Sequence, residues 1–178
     1  AVAIILVLRA MMISSQPEII KVFQANHIAR EVTLQVNDEK EIKPLKEVVE
    51  SLSSYSTAQL SSKEIDYSRA LLQTETKEVG KQKVQIHRLS IPRGETFKVV
   101  LSEGTEVFLN SDSRLAYPTV FKGKERVVSL EGEAYFKVAK DAAHPFIVKS
   151  GNLQIRVLGT EFNVRSYSPT DVRVTLIT

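Results

Sequence analysis

From residue 84 onward the chain is a run of short apolar segments, each cut off by glycine, proline, asparagine, aspartate or serine. Those residues supply the backbone angles of turns, and the segments between them are too short and too regularly interrupted to carry a helix. Val84–Leu89, Thr96–Leu101, Thr105–Leu109, Arg126–Leu130, Ala134–Val138, Phe146–Val148, Leu153–Val157, Phe162–Val164 and Val172–Leu176 read as strands. No sustained 3.6-residue periodicity occurs after Gly80. The fold class this predicts is mainly β: stacked short strands, β-solenoid-like, with a less regular N-terminal part.

An internal similarity strengthens the stacking expectation. Leu101-Ser-Glu-Gly104-Thr-Glu-Val-Phe-Leu109, Leu130-Glu-Gly132-Glu-Ala-Tyr-Phe-Lys-Val138 and Val157-Leu-Gly159-Thr-Glu-Phe-Asn-Val164 share an apolar lead, a glycine and an alternating strand, with the glycines 28 and 27 residues apart. Spacing of this size is the mark of repeated supersecondary units. Val32–Leu45 is a candidate degenerate copy.

The earlier half is less patterned. Val32–Val36 alternates apolar and polar residues, Asn37–Lys40 makes a turn, and Glu41-Ile42 resumes, the signature of a hairpin. Glu18–Ala25 is weakly helical, and Lys46–Ala58 is serine-rich, reading as loop with a short strand or helical turn. Leu60–Val79 is polar without clear period, and Glu75–Lys83 reads as loop. The opening run Ala1–Leu8 is apolar but far short of the roughly 20 residues that cross a bilayer. It reads either as a buried strand or as the trailing end of a membrane anchor or signal peptide; Arg9 fits the latter. The boundary into the more regular half falls near Gly80, so 14–83 reads as an N-terminal β-containing part and 84–178 as the principal β domain.

Composition removes several function classes. The 178 residues contain no cysteine, which excludes disulfides and thiolate metal sites. The net charge is +3, with twelve Lys and Arg up to Arg88 and twelve from Arg93, so no basic segment marks a nucleic-acid binder. There is no G-x-S-x-G elbow, no H-E-x-x-H and no P-loop frame around Gly104-Thr105 or Gly159-Thr160. Asn110-Ser-Asp112-Ser-Arg114 lacks the further acids of a calcium loop and reads as an Asx-type turn. Glu131 and Glu133 would share a face on a strand, as paired glycosidase carboxylates would need, but beside Gly132 they read as a solvated turn. His144 beside Pro145 reads as exposed. Most of Phe97, Phe108, Tyr117, Phe121, Tyr135, Phe136, Phe146 and Phe162 fall in predicted strands, where packing in the core is the common use. No catalytic residue, metal ligand or cofactor is expected.

Six ordered motifs then resemble one family. They are Ile91-Pro-Arg-Gly94, Val100-Leu-Ser-Glu-Gly-Thr-Glu-Val-Phe-Leu-Asn110, Ser113-Arg-Leu-Ala-Tyr-Pro118, Arg126–Val138, His144-Pro-Phe-Ile-Val148 and Val157–Val164. The block resembles the FecR domain of anti-sigma factors, departing at Ser102-Glu103-Gly104-Thr105 from the more usual Asp-Gly-Thr. The resemblance implies a non-enzymatic signalling protein of a Gram-negative envelope, with a cytoplasmic sigma-binding segment, one membrane helix and a periplasmic region. It further implies two partners: an extracytoplasmic-function sigma factor, and a TonB-dependent outer-membrane transporter met through a C-terminal domain. It implies no cofactor and no nucleic acid. Gly94, Gly104, Asn110, Pro118, Gly132, Gly159 and Phe162 are expected as structural motif residues. Leu101, Val107, Leu109, Leu130, Phe136, Val138, Val157 and Phe162 are expected in the core. The competing readings are a carbohydrate-binding β-domain, which would need a row of exposed aromatics, and a β-solenoid lyase or hydrolase, which would need clustered charged side chains.

Overall fold

The computed structural model describes residues 31–37, 42–48, 59–68, 84–168 and 170–177. The expected anchor remnant, the weak helix at Glu18–Ala25 and the loop at Glu75–Lys83 lie outside the described residues. Among the described residues no helix is long and apolar enough to cross a membrane. The protein is mainly β. Its strands are β1 (Thr33–Val36), β2 (Lys43–Pro44), β3 (Gln59–Leu60), β4 (Glu64–Asp66), β5 (Ile86–Ile91), β6 (Phe97–Val100), β7 (Glu106–Leu109), β8 (Ser113–Pro118), β9 (Arg126–Lys137), β10 (Phe146–Ser150), β11 (Leu153–Val157), β12 (Glu161–Ser168) and β13 (Asp171–Ile177).

All thirteen belong to one curled, open sheet. β9, twelve residues long, serves two leaves of that sheet. Its first part pairs antiparallel with β8 and parallel with β10, and the leaf continues as β2-β1-β5-β8-β9-β10-β11. Its second part pairs antiparallel with β7 and β12, in the order β3-β4-β6-β7-β9-β12-β13. The curl brings the inner faces together around a single apolar core. Leu89, Leu115, Leu130 and Phe146 come from the first leaf and Val99, Val107, Phe136 and Phe162 from the second; all are fully buried. Phe136 stacks on Phe162 at 5.1 Å between ring centroids and stands 6.1 Å from Phe146 of the other leaf. Of the expected core set, Val157 alone is only partly buried.

The three similar segments become lateral neighbours. Val107 is opposite Phe136, and Phe136 is opposite Phe162, so β7, the second part of β9, and β12 lie side by side in one leaf. Two expectations are corrected. Arg126–Leu130 and Ala134–Val138 are one continuous strand, and Gly132 bends it where a turn was expected. The inward set Arg126, Val128, Leu130, Gly132, Ala134 and Phe136 keeps its alternation through the bend. Ser113–Pro118, to which the apolar pattern assigns no strand, forms β8, paired with β5 over six positions. The N-terminal strands join the same leaves: β1 pairs with β5, and β4 runs parallel to β6.

Gly132 is where the two leaves part. Its φ is +95°, and a Cβ there would lie 2.5 Å from Ser113 Oγ, 2.8 Å from Ser113 Cα and 2.9 Å from the Asp112 carbonyl. Both the backbone angle and the close approach of β8 therefore require glycine. Gly104, at φ +89°, has open space around its Cα. Gly132→Ala is expected to lower unfolding free energy by about 3 kcal/mol, since strain and overlap act together, and Gly104→Ala by about 1 kcal/mol from strain alone. Urea unfolding of both variants checks the order and the gap.

Candidate interaction surface

Among the described residues no group of three His, Asp or Glu side chains is arranged to hold a metal ion. The carboxylates Glu131, Glu133 and Asp141 all have partners within the protein. Glu131 pairs with Arg114 at 3.1 Å on the exposed outer face. Glu133 accepts hydrogen bonds from Asn110 Nδ2 at 3.1 Å and Asn163 Nδ2 at 3.0 Å. Asp141 accepts from the exposed His144 Nδ1 at 2.8 Å and from the backbone N–H of Ala143 and His144. The His144 hydrogen bond holds the Asp141 carboxyl below its usual pKa.

Two buried polar clusters fix the frame. In the first, the Arg126 side chain is only 3% exposed. Its Nε donates to the His144 carbonyl at 2.7 Å, and its Nη1 donates to the Ala139 carbonyl at 3.0 Å and to Glu103 Oε1 at 3.3 Å. Thr105 Oγ1 donates to Glu103 Oε1 at 2.5 Å and accepts the Ala139 N–H at 3.1 Å. The cluster ties the β6–β7 turn to the loop between β9 and β10, and the Arg126 guanidinium lies 5.4 Å from the centre of the Phe146 ring. Removing one member of a buried ion pair strands the other. Arg126→Met is therefore expected to cost about 3–5 kcal/mol, and Glu103→Gln on that background to recover part of the loss, measured by a double-mutant cycle in urea.

In the second cluster, Tyr117 Oη donates to Tyr67 Oη at 3.1 Å, and Tyr67 lies 2.8 Å from His87 Nδ1. Tyr67 Oη and His87 Nδ1 share one hydrogen bond, and the buried imidazole is neutral at neutral pH. All three side chains are buried, and Nε2 of His87 has no hydrogen-bond partner among the described residues. Burial lowers the His87 pKa to about 4. The unfolded chain takes up the proton first, near pH 6.5, so stability is unaffected above that pH and falls as pH drops from 6.5 to about 4. The full loss is about 3 kcal/mol, and His87→Asn is expected to remove that part of the slope in urea unfolding at pH 7.5 and 4.5.

The outer face of the second leaf carries a charged row. Lys98 meets Glu106 at 3.0 Å and Glu64 at 3.4 Å, and Glu106 reaches Lys137 at 3.8 Å. The Glu106 hydrogen bond raises the Lys98 pKa. Phe108, 40% exposed, sits in this row with Tyr135, its ring 5.7 Å away. At the end of the same leaf, β13 pairs only with β12 among the described residues. Val174 and Leu176 lie on the face of Phe162 and Val164 but are 38% and 63% exposed, because the leaf runs past the core.

The motif residues fall at separate structural points and do not form one cluster. Gly94 lies between β5 and β6 and donates its N–H to Ser111 Oγ at 2.8 Å. Gly104 lies in the β6–β7 turn, and Gly159 between β11 and β12 against Lys140. Asn110 bridges the end of β7 to Glu133, Pro118 ends β8, and Phe162 lies in the core. The sequence reading misses Arg126 and His87 as buried anchors, because a lone Arg or His at the start of a strand carries no local sign of burial.

Residues 87–178, just over half of the chain, match the family model described as FecR protein. Comparison with curated proteins gives no match. Two crystal structures of a protein from Parabacteroides distasonis, provisionally assigned as an anti-sigma factor, are similar. The first is 34% identical with a TM-score of 0.47, covering 51% of this chain and 51% of that one. The second is 34% identical with a TM-score of 0.46, covering 50% of each. The chain thus spans about half the length of the solved chains it matches. The ordered motifs and the match from His87 onward, over just more than half of the chain, place this chain in the FecR family.

Proposed function

We propose that the chain is the periplasmic relay region of a membrane-anchored anti-sigma factor of a Gram-negative bacterium. It would hold back an extracytoplasmic-function sigma factor through a cytoplasmic segment, and respond to a TonB-dependent outer-membrane transporter through a C-terminal domain. The observation that carries this reading is the family match over residues 87–178, which takes in nearly all of β5 and every strand from β6 to β13. The division into an anchor remnant at 1–13, an N-terminal part at 14–83 and the FecR domain from 84 belongs to the same proposal. The scaffold suits a relay that works by contact: its buried polar groups clamp loops to strands, and both leaves share one core.

A carbohydrate-binding β-domain is favoured by one observation, the neighbouring Phe108 and Tyr135 on an outer face. Two rings tilted by 40° make a short platform, and Tyr135 Oη is committed to Glu161 at 2.5 Å. Fold alone does not decide between the two, and the family match supports the signalling reading.

Affinity capture of the full-length parent protein from its own membranes, followed by mass spectrometry, tests the signalling reading. Co-recovery of a sigma factor together with a TonB-dependent transporter is expected. Recovery of neither, while a control anti-sigma pair survives the same detergent, would refute it, and glycan titration would then test the alternative.

A further inference from the structure

The bend at Gly132 leaves a gap in the ladder on one side of β9. β10 pairs with β9 as far as Ser129–Lys149, and β12 joins it only at Gly132–Ser166. Within the gap Ser150 Oγ donates to the Leu130 carbonyl at 2.9 Å. Around it opens a cleft of about 430 Å³, whose lining includes Asp112, Arg114, Glu131, Gly151 and Tyr167. That volume lies within the range of small-molecule sites, about 300–1,000 Å³. The Phe108–Tyr135 pair belongs to a different row of the sheet and takes no part in it.

The chemistry of the lining narrows what fits. Tyr167, 47% exposed, is held in place: its Oη donates to the Ser111 carbonyl at 2.9 Å, and the Arg165 guanidinium lies 5.8 Å from its ring centre. Two ion pairs stand nearby, Arg114 Nη1 with Glu131 Oε2 at 3.1 Å and Arg93 Nε with Asp112 Oδ2 at 3.0 Å. Each carboxylate is thus matched by a guanidinium, and a charged ligand has to compete with a pair already made. An apolar ligand would strip water from these charges and return no hydrogen bond. A hydroxyl both donates and accepts. Arg114 Nη2, Glu131 Oε1 and Asp112 Oδ1 have no hydrogen-bond partner among the described residues. Neighbouring hydroxyls can therefore donate to a free carboxylate oxygen and accept from Arg114 without breaking either pair.

We propose that the cleft at the Gly132 bend binds a neutral saccharide. The Tyr167 ring takes the C–H face of a sugar ring, and Glu131 and Arg114 take adjacent hydroxyls. The inference does not rest on the signalling reading, and its failure would leave that reading to its own test.

The test is an NMR titration of the nitrogen-15-labelled 178-residue chain. The probes are cellobiose and N,N′-diacetylchitobiose, with digalacturonate, a glucosamine disaccharide and a neutral serine–glycine heptapeptide for comparison. Saturable shifts of the Gly132, Gly151 and Tyr167 amides are expected with at least one neutral disaccharide, about tenfold tighter than with either charged one. Tyr167→Ala and Glu131→Ala, both at exposed side chains, are each expected to weaken binding about tenfold while the rest of the spectrum stays in place. Tyr167→Phe, which keeps the ring and gives up the bond to Ser111, is expected to retain most of the affinity. No saturable shift with either neutral disaccharide, shifts that map away from the cleft, or binding indifferent to both alanine variants would overturn the inference. Tighter binding of a charged disaccharide, or of the heptapeptide, at the same amides would overturn it too, and assign the cleft to an ion or to a peptide.

Discussion

One strand serving both leaves is the constraint on which the architecture rests. β9 can pair with β8 and β10 along its first part and with β7 and β12 along its second only if its backbone changes direction without losing its inward alternation. Gly132 permits this. Lacking a Cβ, it adopts φ +95° and lets β8 approach until Ser113 Oγ accepts the N–H of Glu133 at 2.8 Å. The bend is thus satisfied in its hydrogen bonding at the point where the ladder changes partners, and the two inner faces close on one core.

The buried polar groups reinforce that geometry in different places. Arg126 enters the core at the start of β9 and gathers the carbonyls of Ala139 and His144 with Glu103, so the loops at one end of the sheet are held to a strand. Tyr67, just beyond β4, reaches His87 on β5 and Tyr117 on β8, and so joins the N-terminal segment to the first leaf from inside. Such groups are costly to bury and specify one arrangement only when hydrogen-bonded.

How much of this was legible in the sequence follows from the range of each interaction. The turn residues and the period-2 pattern from Val84 onward reveal a mainly β chain, and the similarity around Gly104, Gly132 and Gly159 marks segments that become neighbours in one leaf. Those are local signals. β8 escapes the pattern because Ser113, Ala116 and Pro118 dilute its apolar residues; its place comes from pairing with β5 and β9. β3 and β4 escape for a similar reason: strands of two and three residues are defined by distant partners. Gly132 reads as a turn because glycine marks both turns and bends, and only the neighbouring Ser113 distinguishes them. The ordered motifs make the family legible, whereas the strand order of each leaf depends on distant pairings, which no local pattern encodes.

The shared core and the pairings of β1 and β4 make the N-terminal strands and the FecR region one cooperative body around β9. Native-state hydrogen exchange over a urea series tests it most directly. The slowest amides of β1 and β4 are expected to merge with those of β9 into a single unfolding isotherm, at the free energy of global unfolding. Exchange of β1 and β4 through a separate opening of markedly lower free energy, with β9 still protected, would contradict it.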